Sequence, residues 1–471
     1  MVKKTFTENK NFYRAAVILI VLIRLALNAV IPLMDQTEAR YGEIARIMAE
    51  TDDWVTPQID YGFPFWAKPP LSTWLSAASI KLFGVNEFAV RFPSFVLSLL
   101  ILLLLKPFAR EKGLSVWLAA FVLFTIPEFL LHMGVVSTDM SLVICMTLMM
   151  IAFWNANHKK AVYWQYLFFA GTGLGLLAKG PIVLILTVPP VFVWLLWFKQ
   201  WRPLWKNFHW LSGVVIIAAI ALPWYYLAER RTPGFLDYFF VGEHFKRFLD
   251  SSWKGDKYGF PKQQPLGIIW IFLFGLAFPW IYTVTGKLWK NRHALTKNSW
   301  VAFLLLWLVW TPMFFTVSKS LIHTYIMPVM PPLALLTVYY WEEIKRKKLL
   351  ICIALVVPAL SFVLAVLALV PGVYENNSNT DKYILQHSDK SLPLYFLGDK
   401  SYSSRFYSNG KVKSIDKATL QQKLNSGEDL EVIIPKKAEF RFGTDDNGWL
   451  IKESEGRKNI LYRSGRRTLL D

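Results

Sequence analysis

Residues 34–94 read MDQTEARYGEIARIMAETDDWVTPQIDYGFPFWAKPPLSTWLSAASIKLFGVNEFAVRFPS and lie between two apolar segments, starting near residues 14 and 92, each long enough to cross a bilayer. A mere connector needs only a few turn residues. This one carries Asp35, Glu38, Arg40, Tyr41, Asp52, Asp53 and Lys68 together with helical apolar spacing and aromatic anchors. It is therefore expected to be the working part of the protein, held against a membrane.

Outward from that stretch the chain is built for a bilayer. Hydrophobic residues make up 54% and charged ones 18% of 471 residues, and the mean hydropathy is +0.34, a composition of many spans instead of one water-soluble core. Apolar runs start near residues 14, 92, 114, 140, 162, 181, 208, 265, 299, 321 and 349. They predict an all-α polytopic membrane domain of about eleven transmembrane helices over residues 1–371. The first run holds Arg24 and Asn28 and leads into Pro32 without a small-residue cleavage site, so it is expected to stay as helix one. After Pro371 and Gly372 the composition turns polar. LPLYFLG, EVIIP and ILYRS read as strands and KATLQQKLNSG as a helix closed by Gly427, predicting a small α/β soluble domain over 372–471.

The net charge of +19 falls mostly in short loops, which argues for membrane topology and against a nucleic-acid surface. Lys3, Lys4, Lys10 and Arg14 precede the first span. Alternate loops carry Lys106, Arg110 and Lys112; Lys159 and Lys160; Lys199, Arg202 and Lys206; Lys287, Lys290, Arg292 and Lys297; and Lys345 to Lys348. By the positive-inside rule the N-terminus is cytoplasmic, while the 34–94 loop, the 228–264 loop, the 317–324 loop and the C-terminal domain face outward. The two cysteines, Cys145 and Cys352, sit in apolar runs and define neither a disulfide framework nor a metal motif.

Chemistry-bearing residues gather on the outer side. Thr37 to Glu50 has helical amphipathic spacing and is expected to lie along the membrane surface, with Asp35 and Thr37 where an N-cap belongs. Capping accounts for one or two acids. It does not account for an ionisable group directly at the end of a hydrophobic span, a position that marks function. Lys68, followed by Pro69 and Pro70 at a helix start, combines an ammonium with free backbone N–H groups and suits an anion such as phosphate; the competing reading is a lysine snorkelling to headgroups beside the anchors Trp66 and Trp74. Asp139 in VVSTDMSLV caps a helix or shares a cavity with Asp35. Lys179 in LLAKGP and Lys319, His323 and Tyr325 in SKSLIHTYIMPVMPP are placed on the same face. Glu243, His244, Lys246, Arg247 and Lys254 form a mixed polar set suited to a headgroup or a sugar. His244 and His323 lack ligand spacing, so no metal site is expected.

The order TEARYGEIARIM, DDWVTP, FWAKPPLSTWL, LFGVNEFAVRFPS, then LLAKGP and SKSLIHTYIMPVMPP, resembles the bacterial aminoarabinose transferase and protein mannosyltransferase family of C-type membrane glycosyltransferases over roughly residues 10 to 340. The resemblance implies a polyprenyl-phosphate sugar as donor, no other cofactor, an active site on the periplasmic face of the bacterial inner membrane, and a cell-envelope acceptor such as lipid A, another glycolipid or a glycan. It implies an essential acid at the end of helix one. The family's aspartate position holds Thr37 here, leaving Asp35 or Glu38 for that role, with Asp139 as the second external acid. The remaining expected donor-site residues are Arg40, Tyr41, Lys68, Lys179, Glu243, His244, Arg247, Lys319, His323 and Tyr325. Ala67 stands where aminoarabinose transferases commonly have glutamate, which weakens a lipid A assignment and any metal site built on that glutamate. Two other readings stand beside this one. A flippase for lipid-linked sugars would show internal repeats, and none is evident. An assembly subunit would use the C-terminal domain to hold a periplasmic partner.

Overall fold

The computed structural model describes residues 10–465 except 160, 202–203, 206–207, 250–252, 254, 260–262, 296, 371 and 440–449; Lys3, Lys4, Lys160, Arg202, Lys206 and Lys254 lie outside the described residues. Each of the eleven apolar runs forms a helix or a pair of helical segments. The chain enters through α1 (Lys10–Val30), folds two short helices in the first loop, α2 (Thr37–Thr51) and α3 (Leu71–Phe83), and continues with α4 (Glu87–Glu111). There follow α5 (Val116–Thr125), α6 (Pro127–His132), α7 (Asp139–His158), α8 (Tyr163–Lys179), α9 (Ile182–Trp197) and α10 (Trp210–Arg231). The membrane part closes with α11 (Ile268–Leu276), α12 (Trp280–Lys290), α13 (Ser299–Phe315), α14 (Met330–Tyr339), α15 (Lys347–Ala354) and α16 (Val356–Leu367).

Among the described residues, α1, α4, α7, α10 and the α15–α16 stretch are each long and apolar enough to cross a membrane alone, and α11 and α12 meet at 107° as one broken span or a re-entrant turn. The apolar helices α5, α9 and α13 are shorter. The chain is a multi-pass membrane protein. Between helices in lipid, close approach and dispersion replace the hydrophobic effect, and small residues make that approach possible. Helix α8 shows it in three steps. A Cβ on Gly171 would lie 3.1 Å from Met149 of α7, one on Gly173 2.9 Å from Ile220 of α10, and one on Gly175 2.6 Å from Val183 of α9. These contacts make α8 a hub and bring its last residue, Lys179, beside the first residue of α7, Asp139.

The C-terminal part carries a five-stranded sheet of order β4-β3-β5-β7-β6, built from β3 (Leu394–Leu397), β4 (Lys413–Ile415), β5 (Glu431–Pro435), β6 (Leu450–Glu455) and β7 (Asn459–Ser464), whereas β1 (Gln58–Asp60) and β2 (Phe63–Pro64) form a hairpin in the first loop. Strands β4, β3 and β5 run parallel, and β7 and β6 add antiparallel. The expected strands at LPLYFLG, EVIIP and ILYRS form, and the helix ahead of Gly427 runs over Lys417–Asn425.

Helix α2 departs from expectation. It does not lie exposed along the membrane surface: Gly42 to Ala49 are all buried, between α3, the β1 strand and a helix of the C-terminal part, Tyr402–Tyr407. Its polar face is not left dry and unpaired. Arg46 makes a bidentate fork on Glu43 at 2.7 and 2.8 Å, and Glu50 and Tyr61 take the remaining donors. Ionic pairing inside the helix removes the need for a solvent-facing side.

Candidate functional site

Five separate parts of the chain meet around a cavity of about 770 Å³, part of it open to solvent. Lys68 comes from the turn before α3, Asp139 opens α7, Lys179 closes α8, and Glu243, His244 and Arg247 come from the wide-turn helical segment Asp237–Lys246 and the residue after it. Tyr325 and Thr324 enter from the 3-10 segment His323–Val329. Leu142, Ile182, Leu186, Phe248, Phe315, Met327 and Pro328 make the rest of the wall apolar.

The charges are arranged as two linked sets. Lys68 Nζ donates to Glu243 Oε2 at 3.0 Å and to its neighbour's carbonyl, Ala67 O, at 2.7 Å. Arg247, one helical turn after Glu243, donates to the same oxygen at 3.0 Å and lies 3.7 Å from Asp256. Burial works against the Glu243 carboxylate, but Lys68 and Arg247 outweigh it and hold its pKa below the ordinary value. The second set is Asp139 and Lys179, at 2.5 Å. Aspartate at a helix N-terminus and lysine at a helix C-terminus are each favoured by the dipole, so the antiparallel α7–α8 pair presents both at one end. Lys179 also sits over the Tyr325 ring, 4.8 Å from its centroid.

His244 is fixed by its Nδ1 against Phe239 O at 2.7 Å, and burial lowers its pKa below the usual imidazole value. Its ring lies against Gly180, where a Cβ would come within 3.2 Å of Nε2 and where φ is +76°; glycine satisfies both demands at once. Tyr41 is near enough to Asp139, Lys179 and Glu243 for its hydroxyl to feel their charges, and burial raises its pKa first of all. Arg40 stacks over the Tyr41 and Phe65 rings and donates to Tyr258 O.

Other candidates fall elsewhere. Glu38 lies at the start of α2 in a two-bond fork with Arg91, at 2.8 and 2.7 Å. Arg91 also donates to the carbonyl of Asn28 in the last turn of α1 and to those of Ile31 and Pro32 just beyond it. This buried clamp fixes the turn between α1 and α2. Asp35 does not cap α2, whose N-cap is Gln36 with no side-chain bond. Its carboxylate accepts from Ser403 N at 3.0 Å and from Ser403 Oγ, tying the first loop to the C-terminal part. Burial raises its pKa to about 6 against the lowering pull of Ser403. Neither acid is among the residues lining the cavity, and Lys319 is exposed outside it. His323 pairs with Glu128, a residue the sequence reading passed over, and a second histidine, His132, completes a group whose ligand atoms lie within 4.8 Å of one another. The signal was present as Glu128 and His132 four residues apart inside an apolar run. Trp66 and Trp74, read as membrane anchors, donate inward to Thr232 Oγ1 and Trp54 O.

Comparison with known proteins gives a consistent set of relatives. Residues 12–239 match the family described as dolichyl-phosphate-mannose-protein mannosyltransferase. The undecaprenyl phosphate-alpha-4-amino-4-deoxy-L-arabinose arabinosyl transferase of Erwinia tasmaniensis is 31% identical over 336 residues, 69% of this chain and 57% of that protein. The one from Serratia proteamaculans is 28% identical over 65% of this chain and 55% of its own length. The chain thus spans little more than half the length of these relatives. Its fold resembles ArnT from Cupriavidus metallidurans bound to undecaprenyl phosphate, with a TM-score of 0.79, 18% identity, and coverage of 97% of this chain and 99% of that one.

Proposed function

We propose that this chain, which belongs to the aminoarabinose transferase and protein mannosyltransferase family of membrane glycosyltransferases, moves a sugar from a polyprenyl-phosphate donor to a cell-envelope acceptor. The observation that carries the reading is the cavity, where three cations, two carboxylates and an apolar wall converge. The domain division at residues 371 and 372, the inner-membrane location, the cytoplasmic N-terminus and the outward-facing cavity belong to the same proposal, on the charge asymmetry of the loops.

The donor is a phosphodiester. When the bond between the anomeric carbon and the phosphate oxygen breaks, the leaving polyprenyl phosphate gains a negative charge. Lys68 and Arg247, sharing one carboxylate, are the groups to receive it through charge-assisted hydrogen bonds, and their stabilisation grows as the charge develops. The acceptor oxygen forms the new bond at the anomeric carbon with inversion, and a hydroxyl acceptor must lose its proton. Of the three acids named from the sequence, Asp139 lines the cavity and takes the general-base role, with Lys179 holding it in place. The lining Leu142, Ile182, Leu186, Phe248 and Phe315 suit the first isoprene units. The acceptor class is lipid A, another glycolipid or a glycan.

The test is transfer of radiolabelled sugar from undecaprenyl-phosphate sugars to envelope lipids by the purified protein in detergent. Transfer by wild type that is lost in Lys68→Ala and Asp139→Asn is expected. Labelled donor that binds, or crosses vesicle membranes, with no product from wild type would replace the transferase with a carrier.

A further inference from the structure

The bend between α5 and α6 places a carboxylate in an apolar setting. Helix α5 ends at Thr125, Pro127 restarts the chain as the first residue of α6, and Glu128 follows with 1% exposure between the buried Phe124, Ile126, Phe129 and Leu130. His132, four residues on and therefore on the same face, is 3% exposed. His323 arrives from the other half of the chain at the head of the 3-10 segment. Its Nδ1 is 2.7 Å from Glu128 Oε1, and His132 Nδ1 is 3.4 Å from the same oxygen.

Three features go beyond a core hydrogen-bond network. A carboxylate at this depth is costly unless it is paired, and two imidazole rings converge on one of its oxygens. His132 directs Nδ1 at its own helix, 2.9 Å from Glu128 O, the arrangement that fixes a ligating imidazole's tautomer and orientation and presents Nε2. One ligand atom from each residue lies within 4.8 Å of the others, against roughly 3.3 Å between donors around a tetrahedral zinc ion. The His323 side chain is 45% exposed, giving an ion a route in.

We infer that Glu128, His132 and His323 bind a divalent transition-metal ion, zinc being the best match to two imidazoles and a carboxylate with a fourth position for water. The ion ties the 3-10 segment to α6. That segment carries Thr324, Tyr325, Met327 and Pro328 into the cavity wall, so the site sets the position of Tyr325 beneath Lys179. This inference stands independently of sugar transfer.

The experiment uses the full-length, untagged protein in detergent, stripped with chelator, reloaded with Zn²⁺ or Co²⁺ and desalted. Wild type should retain about one ion per chain by elemental mass spectrometry, show Co²⁺ visible absorption of four-coordinate type, and gain Tm on zinc addition. His323→Ala should lose the ion, the absorption and the Tm gain together, its partly exposed position leaving the fold intact. His323→Cys should recover zinc and shift the Co²⁺ spectrum toward thiolate charge transfer. Wild type without retained metal, or His323→Ala with as much metal as wild type, overturns the proposal.

Discussion

The Glu243 cluster and the Glu38–Asp35 region both pair acids beside membrane helices, yet they are opposites in accessibility. Glu243 holds two cations at the rim of a cavity, and Lys68 and Arg247 remain 22% and 28% exposed. Arg91, by contrast, is 3% exposed and engages Glu38 together with three carbonyls of the α1 end, and Asp35 is engaged by Ser403. The difference teaches that an ionisable residue at a membrane edge is available for chemistry only when its partners leave it a face toward open space. Where the partners close the shell, the same residue is architecture.

The largest effects should come from the open region. Asp139→Asn removes the proposed proton acceptor and should lower transfer by about 10²–10⁴-fold, with some fall in Tm because Lys179 loses its buried partner, and Lys68→Ala should lower it by about 10²–10³-fold with Tm near that of wild type. Initial rates with a saturating donor measure this. If Glu38→Gln instead shows the larger rate loss at unchanged Tm, the division into open and closed regions fails.

Glu38→Gln is expected to act on stability. It leaves the Arg91 guanidinium buried without its counter-charge, a change that costs about 3–5 kcal/mol when one partner of a buried pair is removed. Thermal unfolding in detergent should show a marked fall in Tm, while the transfer rate per folded molecule stays within about threefold of wild type, the scatter expected of a change outside the machinery.

Asp35 sharpens the comparison through pH. Its folded pKa is raised to about 6, above the ordinary carboxylate value near 3.9, so between those values the folded state binds more protons than the unfolded one. Stability is then greatest below the lower value, falls as pH rises through the window, and levels off above about 6, by up to about 3 kcal/mol. Asp35→Asn mimics the protonated acid toward Ser403 and should flatten that part of the stability curve. An unchanged slope between pH 4 and 6 would assign it to other groups.

Much of this was legible in the sequence because the bilayer dictates it. Backbone groups in lipid must be paired within helices, so runs such as 139–158 and 210–231 announce themselves, and β3, β5 and β7 show as short apolar strands. The cavity residues Lys68, Asp139, Lys179, Glu243, His244, Arg247 and Tyr325 were each visible as polar groups beside apolar runs. Their grouping was implied by the family resemblance and by no local pattern. Arg91 lies 53 residues from Glu38, Ser403 lies 368 from Asp35 and His323 lies 195 from Glu128, and no local periodicity encodes pairing over such separations. The burial of α2 was hidden for the same reason, since its cover comes from Tyr402–Tyr407.

Lys319 gives the smallest and most discriminating effect. By sequence it is the equal of Lys179: each is a lysine in a short outer turn followed by apolar residues. Folded, Lys179 is 12% exposed, paired with Asp139 and set over Tyr325, whereas Lys319 is exposed and contributes its backbone carbonyl, which accepts from Gln264 N at 2.9 Å. A substitution keeps that carbonyl. Lys319→Ala should therefore change transfer by less than about twofold, in line with an exposed charge worth under about 0.5 kcal/mol, while Lys179→Ala leaves Asp139 buried without its partner and should fall toward the Asp139→Asn level. Equal losses from the two lysines would mean that electrostatic attraction over the whole outer face, screened by added salt, governs donor capture, and not contact within the cavity.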